Sequence, residues 1–359
     1  MQIINKFLRL RKVYIYFISY VLFIIIFSTS FLQANTFKVS NIDISSPFEL
    51  NFNKTRVIDG GFKESFFNLL SMITTSSDRE KLKNTSLKEI KGMIDSFTIS
   101  DEKFINNEYF AKLESSFNKK KTLSFLEKKN VFPSTPIRNK ILLIPILVDA
   151  EQEKIYLFTD NIFYEKWNTE IKNYHLLEYL LPSEDLEDMG IIQKKYDAIE
   201  NHDFLNLIKK YDLEDYIITI IYESKDEIKI LSKINLNNSF KIDNKQFEKK
   251  NLTNEEDFKI VLDVLKNTYE NYWKKENEIN TSIKLPLTLS INSKKYNEVI
   301  KLEKILDNLD LVSDFYITKF DNNNTYYRII YNGSPKTFYN DLNKNDLNLK
   351  MENNIWIIK

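Results

Sequence analysis

At 359 residues the chain is longer than one core of about 100 to 150 residues holds, so two or three folded units are expected. Its 51 basic and 51 acidic side chains balance, which leaves no overall field to recruit nucleic acid or an anionic membrane surface. A hydrophobic content of 43%, with 14% aromatics, excludes disorder, and the absence of Cys excludes disulfides, thiol nucleophiles, zinc thiolates and a lipidated N-terminal Cys.

In chain order, Lys6, Arg9, Arg11 and Lys12 precede an apolar run, 13–32, bounded by Val13 and Leu32; the chain turns polar after Ala34. A basic stretch, an apolar stretch and a small residue at the boundary make an export signal. Twenty residues at about 1.5 Å each reach roughly 30 Å, so the run also has the length of a membrane anchor. Segment 1–34 is therefore expected to be a signal peptide or a signal anchor. Cleavage near Ala34 gives a soluble periplasmic protein, and retention gives one anchored to the inner membrane.

A first α+β module is expected over 35–137. Phe37 and Val39 alternate in one phase, Ile42 and Ile44 in the other, predicting a strand with a bulge near Ser40. Phe62, Phe66, Leu69, Leu70 and Ile73 form a helical stripe. Phe97 and Ile99, a polar turn at Asn106 and Asn107, and the alternating Tyr109, Ala111, Leu113, Ser115 and Phe117 predict a hairpin. A short helix carries Leu123, Phe125 and Leu126, and Pro133 with Pro136 closes the module.

A second, α/β module is expected over 138–280. The apolar run 141–148 suits a strand covered on both faces, with Pro145 at a bulge or an edge. A helix over 162–181 is predicted to carry Trp167, and two helical pieces follow, the second with Phe204, Leu205 and Ile208. Strands are predicted at 216–222, 227–236 and 239–247. A helix capped by Asn254 then carries Phe258, Val261, Leu262, Leu265, Tyr269, Tyr272 and Trp273 on one face. Over 281–359 the order β, α, β, β, α, β predicts a ferredoxin-like module, ending in one strand over 347–358. Joints between modules are expected at 133–136 and 274–282.

The unit FTISDEKFINNEYFAKLESSF, the stretch VFPSTPIRNKILLIPILVD and LFTDNIFYEKWN with Trp167 resemble the bacterial family catalogued as domain of unknown function 2066. IIYNGSPKTFYNDL is similar to the end of longer members, whereas RVIDGGFKESFFNLL departs from the family's Ala- and Arg-rich first helix. The resemblance implies an exported protein and carries no catalytic residue with it. LLIPILVD and LIKKYDLEDYIITIIYES also look like α/β periplasmic domains of curli-secretion and flagellar-collar proteins, where an assembly surface is the common role.

Chemistry finds few footholds. The five glycines, at 60, 61, 92, 190 and 333, form no phosphate-cradling loop, and no Gly-x-Ser-x-Gly occurs. His175 and His202 are too far apart in sequence for a metal motif, and Asp341, Asn343, Asn345 and Glu352 match calcium-loop spacing but place Asp346 where Gly is needed. Glu184, Asp185, Glu187 and Asp188 read as a solvated helix start, Lys119, Lys120 and Lys121 as an exposed one, and Tyr269, Tyr272 and Trp273 as core. No catalytic, cofactor-binding or metal site is assigned. The expectation is a non-enzymatic cell-envelope protein that binds or assembles through sheet edges and module surfaces. Its partners would be envelope proteins or cell-wall components, and the membrane too if the N-terminal helix is uncleaved. The alternative is a carboxylate-dependent hydrolase acting on glycan.

Overall fold

Three sheets, each with its own core, account for the chain in a computed structural model that describes residues 36–358 apart from 170, 249, 280–282 and 310. The expected signal or anchor segment, 1–34, lies outside the described residues. Among the described residues no helix is long and apolar enough to cross a membrane.

The first sheet contains β1 (Thr36–Pro47), β2 (Ile94–Ile105) and β3 (Glu108–Asn118) in the order β1-β3-β2, with both pairings antiparallel. Tyr109, Ala111, Leu113, Ser115 and Phe117 face inward from β3, as their alternation requires. Helix α1 (Lys54–Ile73) lies on that face through Phe62, Phe66, Leu69, Leu70 and Ile73. It begins well before the apolar stripe because Asn53 caps it, accepting a hydrogen bond from the Arg56 N–H. Gly61 lets the helix sit close: a Cβ there would lie 2.7 Å from both Ile44 Cγ2 and Leu113 Cδ2. The bulge in β1 falls between Val39 and Ile42, where Asn41 takes φ 59°. Helices α2 (Ser76–Leu82), α3 (Leu87–Met93) and α4 (Lys119–Lys128) complete this part.

The second sheet runs β5 (Lys154–Tyr156), β4 (Asn139–Asp149), β7 (Tyr216–Glu223), β8 (Glu227–Leu236), β9 (Ser239–Glu248), with β6 (Leu177–Leu180) also beside β4. Strand β4 is buried on both faces, which is why it reads as an unbroken apolar run. Ile141, Leu143 and Leu147 face the long helix α8 (Glu255–Glu276). Leu142, Ile144, Ile146 and Val148 face α6 (Leu186–Gln193) and α7 (Leu205–Lys209). Pro145 is neither at a bulge nor on an edge strand: β7 pairs along one side of β4, while β6 ends at Leu142 and β5 starts at Leu147 on the other. The proline occupies the interval where β4 has a single neighbour, so a missing N–H costs the ladder nothing there.

The helix expected over 162–181 is also corrected. Only α5 (Ile162–Lys166) is helical, and Trp167 is its C-cap. The chain then turns back so that β6 pairs parallel with β4, Leu177 and Tyr179 pointing inward. Tertiary pairing outweighs local helix propensity here. Asn168 ties the segment down by donating to the Tyr179 carbonyl at 3.0 Å.

The third sheet uses β10 (Leu285–Asn292), α9 (Tyr296–Asn308), β11 (Val312–Phe320), β12 (Asn324–Tyr331), α10 (Pro335–Lys344), β13 (Leu349–Glu352) and β14 (Ile355–Ile358), in the strand order β11-β12-β10-β14-β13. The single closing strand expected over 347–358 is a hairpin instead, with β14 parallel to β10 and β13 outermost. Asn353 and Asn354, at φ 49° and 64°, make its turn. Asn106–Asn107 and Asn237–Asn238 do the same in the other two tight hairpins, so Asn supplies the left-handed conformations that this glycine-poor chain needs.

The expected joints bond to each other. Ile279 N–H donates to the Pro133 carbonyl at 2.7 Å, Thr135 N–H to that of Asn277 at 3.0 Å, and Trp273 Nε1 to that of Ile137 at 2.7 Å. Ser134 N–H reaches the carbonyl of Ile73 at the end of α1, 2.7 Å away. The first and second sheets thus meet at a hydrogen-bonded seam, where sequence alone marks two joints.

Candidate interaction surfaces

The residues singled out by sequence are dispersed. His175 lies on the α8 side of the second sheet, partly buried, with Nδ1 accepting a long 3.4 Å hydrogen bond from the Lys172 N–H. Burial, and then the positive charges of Lys266, Lys274, Lys172 and Arg79, push its pKa down to about 4. His202 packs edge-on against Phe204, in the core on the opposite face, and burial lowers its pKa as well. Asp185 caps α6, and Lys210 Nζ bridges it to Asp188 at 3.0 and 2.6 Å. The Lys210 hydrogen bond holds the Asp185 carboxyl below its usual range, the reverse of what a general acid needs. Glu184 accepts from both the N–H and the hydroxyl of Thr159, which lowers its pKa too.

Asp341 accepts from the Tyr331 hydroxyl at 2.7 Å, Asn345 caps the end of α10, and Glu352 pairs with Lys350 at 2.6 Å, so each has a structural task. Among the described residues no three His, Cys, Asp or Glu side chains cluster as metal ligands. Lys119, Lys120 and Lys121 open α4, with Lys120 near Asp307 (3.2 Å) and Lys121 near Asp95 (3.2 Å). Tyr269 is core, its hydroxyl 2.7 Å from both Thr219 Oγ1 and Ser232 Oγ; Trp273 is buried beside it, and the half-buried Tyr272 donates to Asp243 at 3.0 Å.

A charge cluster that sequence reasoning missed sits at the seam. Lys266, Glu270 and Lys274 of α8 are each only 3% exposed. Glu270 Oε1 accepts the N–H groups of Leu176 and Leu177, both at 2.9 Å, and so ends the turn that leads into β6. Lys274 Nζ lies 3.8 Å from Glu270 Oε2 and donates to the Ser71 carbonyl of α1 at 2.5 Å. Burial pushes the Glu270 carboxyl up and the Lys274 ammonium down, to about 8. Asn271 exchanges two hydrogen bonds with Ser76, one turn further along the contact with α2. One face of α8 thus packs on the second sheet while the other fastens it to the first. The only sequence signal was the i,i+4 spacing of Glu270 and Lys274, which on most helices marks an exposed pair.

What remains open lies at sheet edges. On the first sheet, Phe104 and Ile105 of β2 stand half-exposed near Phe48, whose ring is 4.9 Å from that of Phe104, and Leu50 is fully exposed on the adjoining loop. On the third, edge strand β11 presents Tyr316, Ile317 and Phe320, the last 70% exposed. On the second, β9 presents Phe240 and Ile242 at 56% and 57% exposure. No protein-family model matches the chain, and no curated protein matches it either. The family resemblance described above therefore rests on the quoted stretches alone.

The three edges differ in regularity. Strand β2 shifts register twice against β3, between Ile94 and Ser96 and between Ser100 and Lys103. Strand β11 also shifts twice against β12, between Val312 and Asp314 and between Ile317 and Lys319. Bulges of this kind twist an edge away from incoming strands. Strand β9 has none, pairing with β8 continuously from Ser239 to Glu248.

Two of the surface's hollows bear on the choice of site. One of about 810 Å3 separates the first and third sheets, walled by Phe37, Leu69 and Leu123 against Ile305, Leu309 and Leu311. Lys284 and Glu127, 3.1 Å apart, span the same pair of sheets. The other, about 660 Å3, lies at the turn between β1 and α1. Its charged groups Asp43, Glu49, Arg56 and Glu64 are all exposed to water.

Proposed function

We propose that this chain is a non-enzymatic protein of the bacterial cell envelope, delivered by segment 1–34, that binds or assembles envelope proteins or cell-wall components through its open sheet edges. The observation that carries the reading is the row of large apolar side chains on the exposed edges β2, β9 and β11. An edge strand offers unpaired backbone donors and acceptors, and natural proteins usually blunt such strands with charge or cover them. An unbroken edge such as β9 suits a partner that adds a strand, whereas on the bulged β2 and β11 the exposed apolar side chains themselves offer the contact. Delivery leaves the chain either soluble in the periplasm after cleavage near Ala34 or held in the inner membrane by the run bounded by Val13 and Leu32. We divide the delivered part into modules 35–137, 138–280 and 281–359. The last is a ferredoxin-like unit whose fourth strand is replaced by the β13–β14 hairpin.

The test is capture from envelope fractions after gentle crosslinking, with the full chain as bait. The expected result is a defined partner that is retained by the wild-type chain and lost when Phe104, Ile105 and Phe320 are replaced by Ser. Recovery of nothing beyond what an unrelated exported bait retains overturns the assembly role. N-terminal sequencing of the mature protein separates the two modes of delivery: a start at Asn35 gives the soluble form, and an intact basic segment gives the anchored one.

A further inference from the structure

We propose that β9 pairs with β9 of a second copy of this chain, antiparallel about a two-fold axis at Ile242, joining the two second sheets into one. The proposal deepens the assembly reading and rests on it, since it assigns one open edge to a particular partner. Strand β9 is the regular edge of the three, and the two-residue turn Asn237–Asn238 sets which of its backbone groups are free. In such a turn Leu236 and Ser239 form the hydrogen-bonded pair, so the N–H and C=O groups of Phe240, Ile242 and Asn244 are directed away from β8. The side chains of these residues lie on the sheet face away from α8, where Phe240 and Ile242 are more than half exposed.

Side chains then select the register. Directly opposed residues in an antiparallel pair point to the same face, so a two-fold pair can be centred on Ile242, Asp243 or Asn244. Centring on Asp243 sets that carboxylate against its own copy and Lys241 against Lys245, both like-charged. Centring on Asn244 also sets Asp243 against Lys245, but it puts Phe240 against Glu248 and Lys241 against Phe247. Centring on Ile242 sets Ile242 against Ile242, with Lys241 opposite Asp243 of the second copy on both sides of the axis. Phe240 and Ile242 of the two copies then form one continuous apolar surface.

Asp243 supplies the negative charge for this contact, with Tyr272 and Lys245 already holding its carboxylate in place. Its Oδ1 accepts from the Tyr272 hydroxyl and from Lys245 Nζ, at 3.0 and 3.3 Å. Its buried Oδ2 accepts no hydrogen bond, although Lys245 Nζ is an ion-pair neighbour at 3.3 Å. Lys241 already pairs with Glu276 at 2.6 Å, but an ammonium has three N–H donors, which leaves others for the second copy.

The absence of Cys makes the test direct. Opposed hydrogen-bonded residues in an antiparallel pair have Cα atoms about 5.5 Å apart, within disulfide range. In cells expressing the full chain, oxidation with copper phenanthroline is expected to link Ile242→Cys into a covalent species of twice the chain mass. The same treatment should leave Lys233→Cys, which lies one strand inside the sheet, unlinked. Ile242→Lys, which opposes two ammonium groups at the axis, is expected to weaken self-association at least about tenfold with unchanged circular dichroism. Linkage through Asn244→Cys in place of Ile242→Cys overturns the two-fold at Ile242. A single-chain mass in sedimentation together with no linkage at Ile242 overturns the pairing altogether, as does a different protein captured on β9. These results concern β9 alone; the assembly role is decided by the capture experiment on the β2 and β11 edges.

Discussion

Removing either member of the buried Glu270–Lys274 pair should cost far more than removing both. Glu270→Ala deprives the Leu176 and Leu177 N–H groups of their acceptor and leaves the Lys274 ammonium without its counter-charge, although both groups are nearly inaccessible to water. Breaking a buried pair from one side costs about 3 to 5 kcal/mol, and an unmet buried donor adds about 1 to 3 kcal/mol. Glu270→Gln keeps a carbonyl for the two N–H groups, so it isolates the charge term at the lower end of that range. Lys274→Met loses the bond to the Ser71 carbonyl but leaves Glu270 with its two backbone donors. The double variant Glu270→Gln/Lys274→Met removes both charges of the pair and should fall within about 1 to 2 kcal/mol of wild type. The cycle is then strongly non-additive.

Amide exchange at Leu176 and Leu177 reads this out locally, at one decade of rate per about 1.4 kcal/mol of opening free energy. The pH dependence supplies a second readout. The Lys274 pKa is lowered to about 8 by burial, so between pH 8 and the ordinary lysine value of 10.5 the unfolded chain binds more protons than the folded one. Stability from this group therefore rises with pH across that window, by on the order of 2 to 3 kcal/mol, and is lost as pH falls through about 8. Lys274→Met should abolish the rise. Additive single-variant effects, or an alkaline rise that persists in Lys274→Met, would refute the assignment of a buried charge pair at the seam.

Further outcomes follow from other sites. Gly60→Ala meets nothing within 4 Å and should stabilise by up to about 1 kcal/mol as a helix-interior replacement. Gly61→Ala instead drives a methyl into Ile44 and Leu113 and should destabilise relative to Gly60→Ala by about 1 to 3 kcal/mol, measured by thermal melting. His175 is kept neutral by burial and surrounding cations, so stability should fall as pH drops from 6.5 toward about 4. Allowing for solvent screening of the partly exposed ring, the loss is about 1 to 2 kcal/mol, and it should be absent from urea titrations of His175→Gln. Asn353→Val/Asn354→Val forces two β-branched residues into left-handed backbone, so amide protection over 349–358 should collapse while that of β10 and β12 persists.

Much of the fold was legible because it is written at short range. The alternation from Tyr109 to Phe117, the stripe from Phe258 to Trp273 and the Asn254 cap are local patterns, and each became the expected element. The misread places depended on partners distant in sequence. Segment 167–180 was expected to continue a helix, but β4 and Glu270 claim it as strand and turn. The closing hairpin is different, since its signal is local: Asn353–Asn354 is the same turn dipeptide as Asn106–Asn107.

By itself the sequence determined the order of most elements, the basic and apolar layout of its first 34 residues, and the chemistries for which this composition has no parts. These follow from periodicity and residue inventory, which need no knowledge of neighbours. Tertiary structure alone decided that Pro133 to Ile137 and Trp273 to Ile279 bond across one seam, that Glu270 and Lys274 are buried there, and that β9 is an unbroken edge. The physical reason is that burial and edge exposure belong to pairs of elements brought together by folding. Glu270 and Lys274 have the spacing of an ordinary surface pair, and only the approach of α1 and β6 makes them part of the interior.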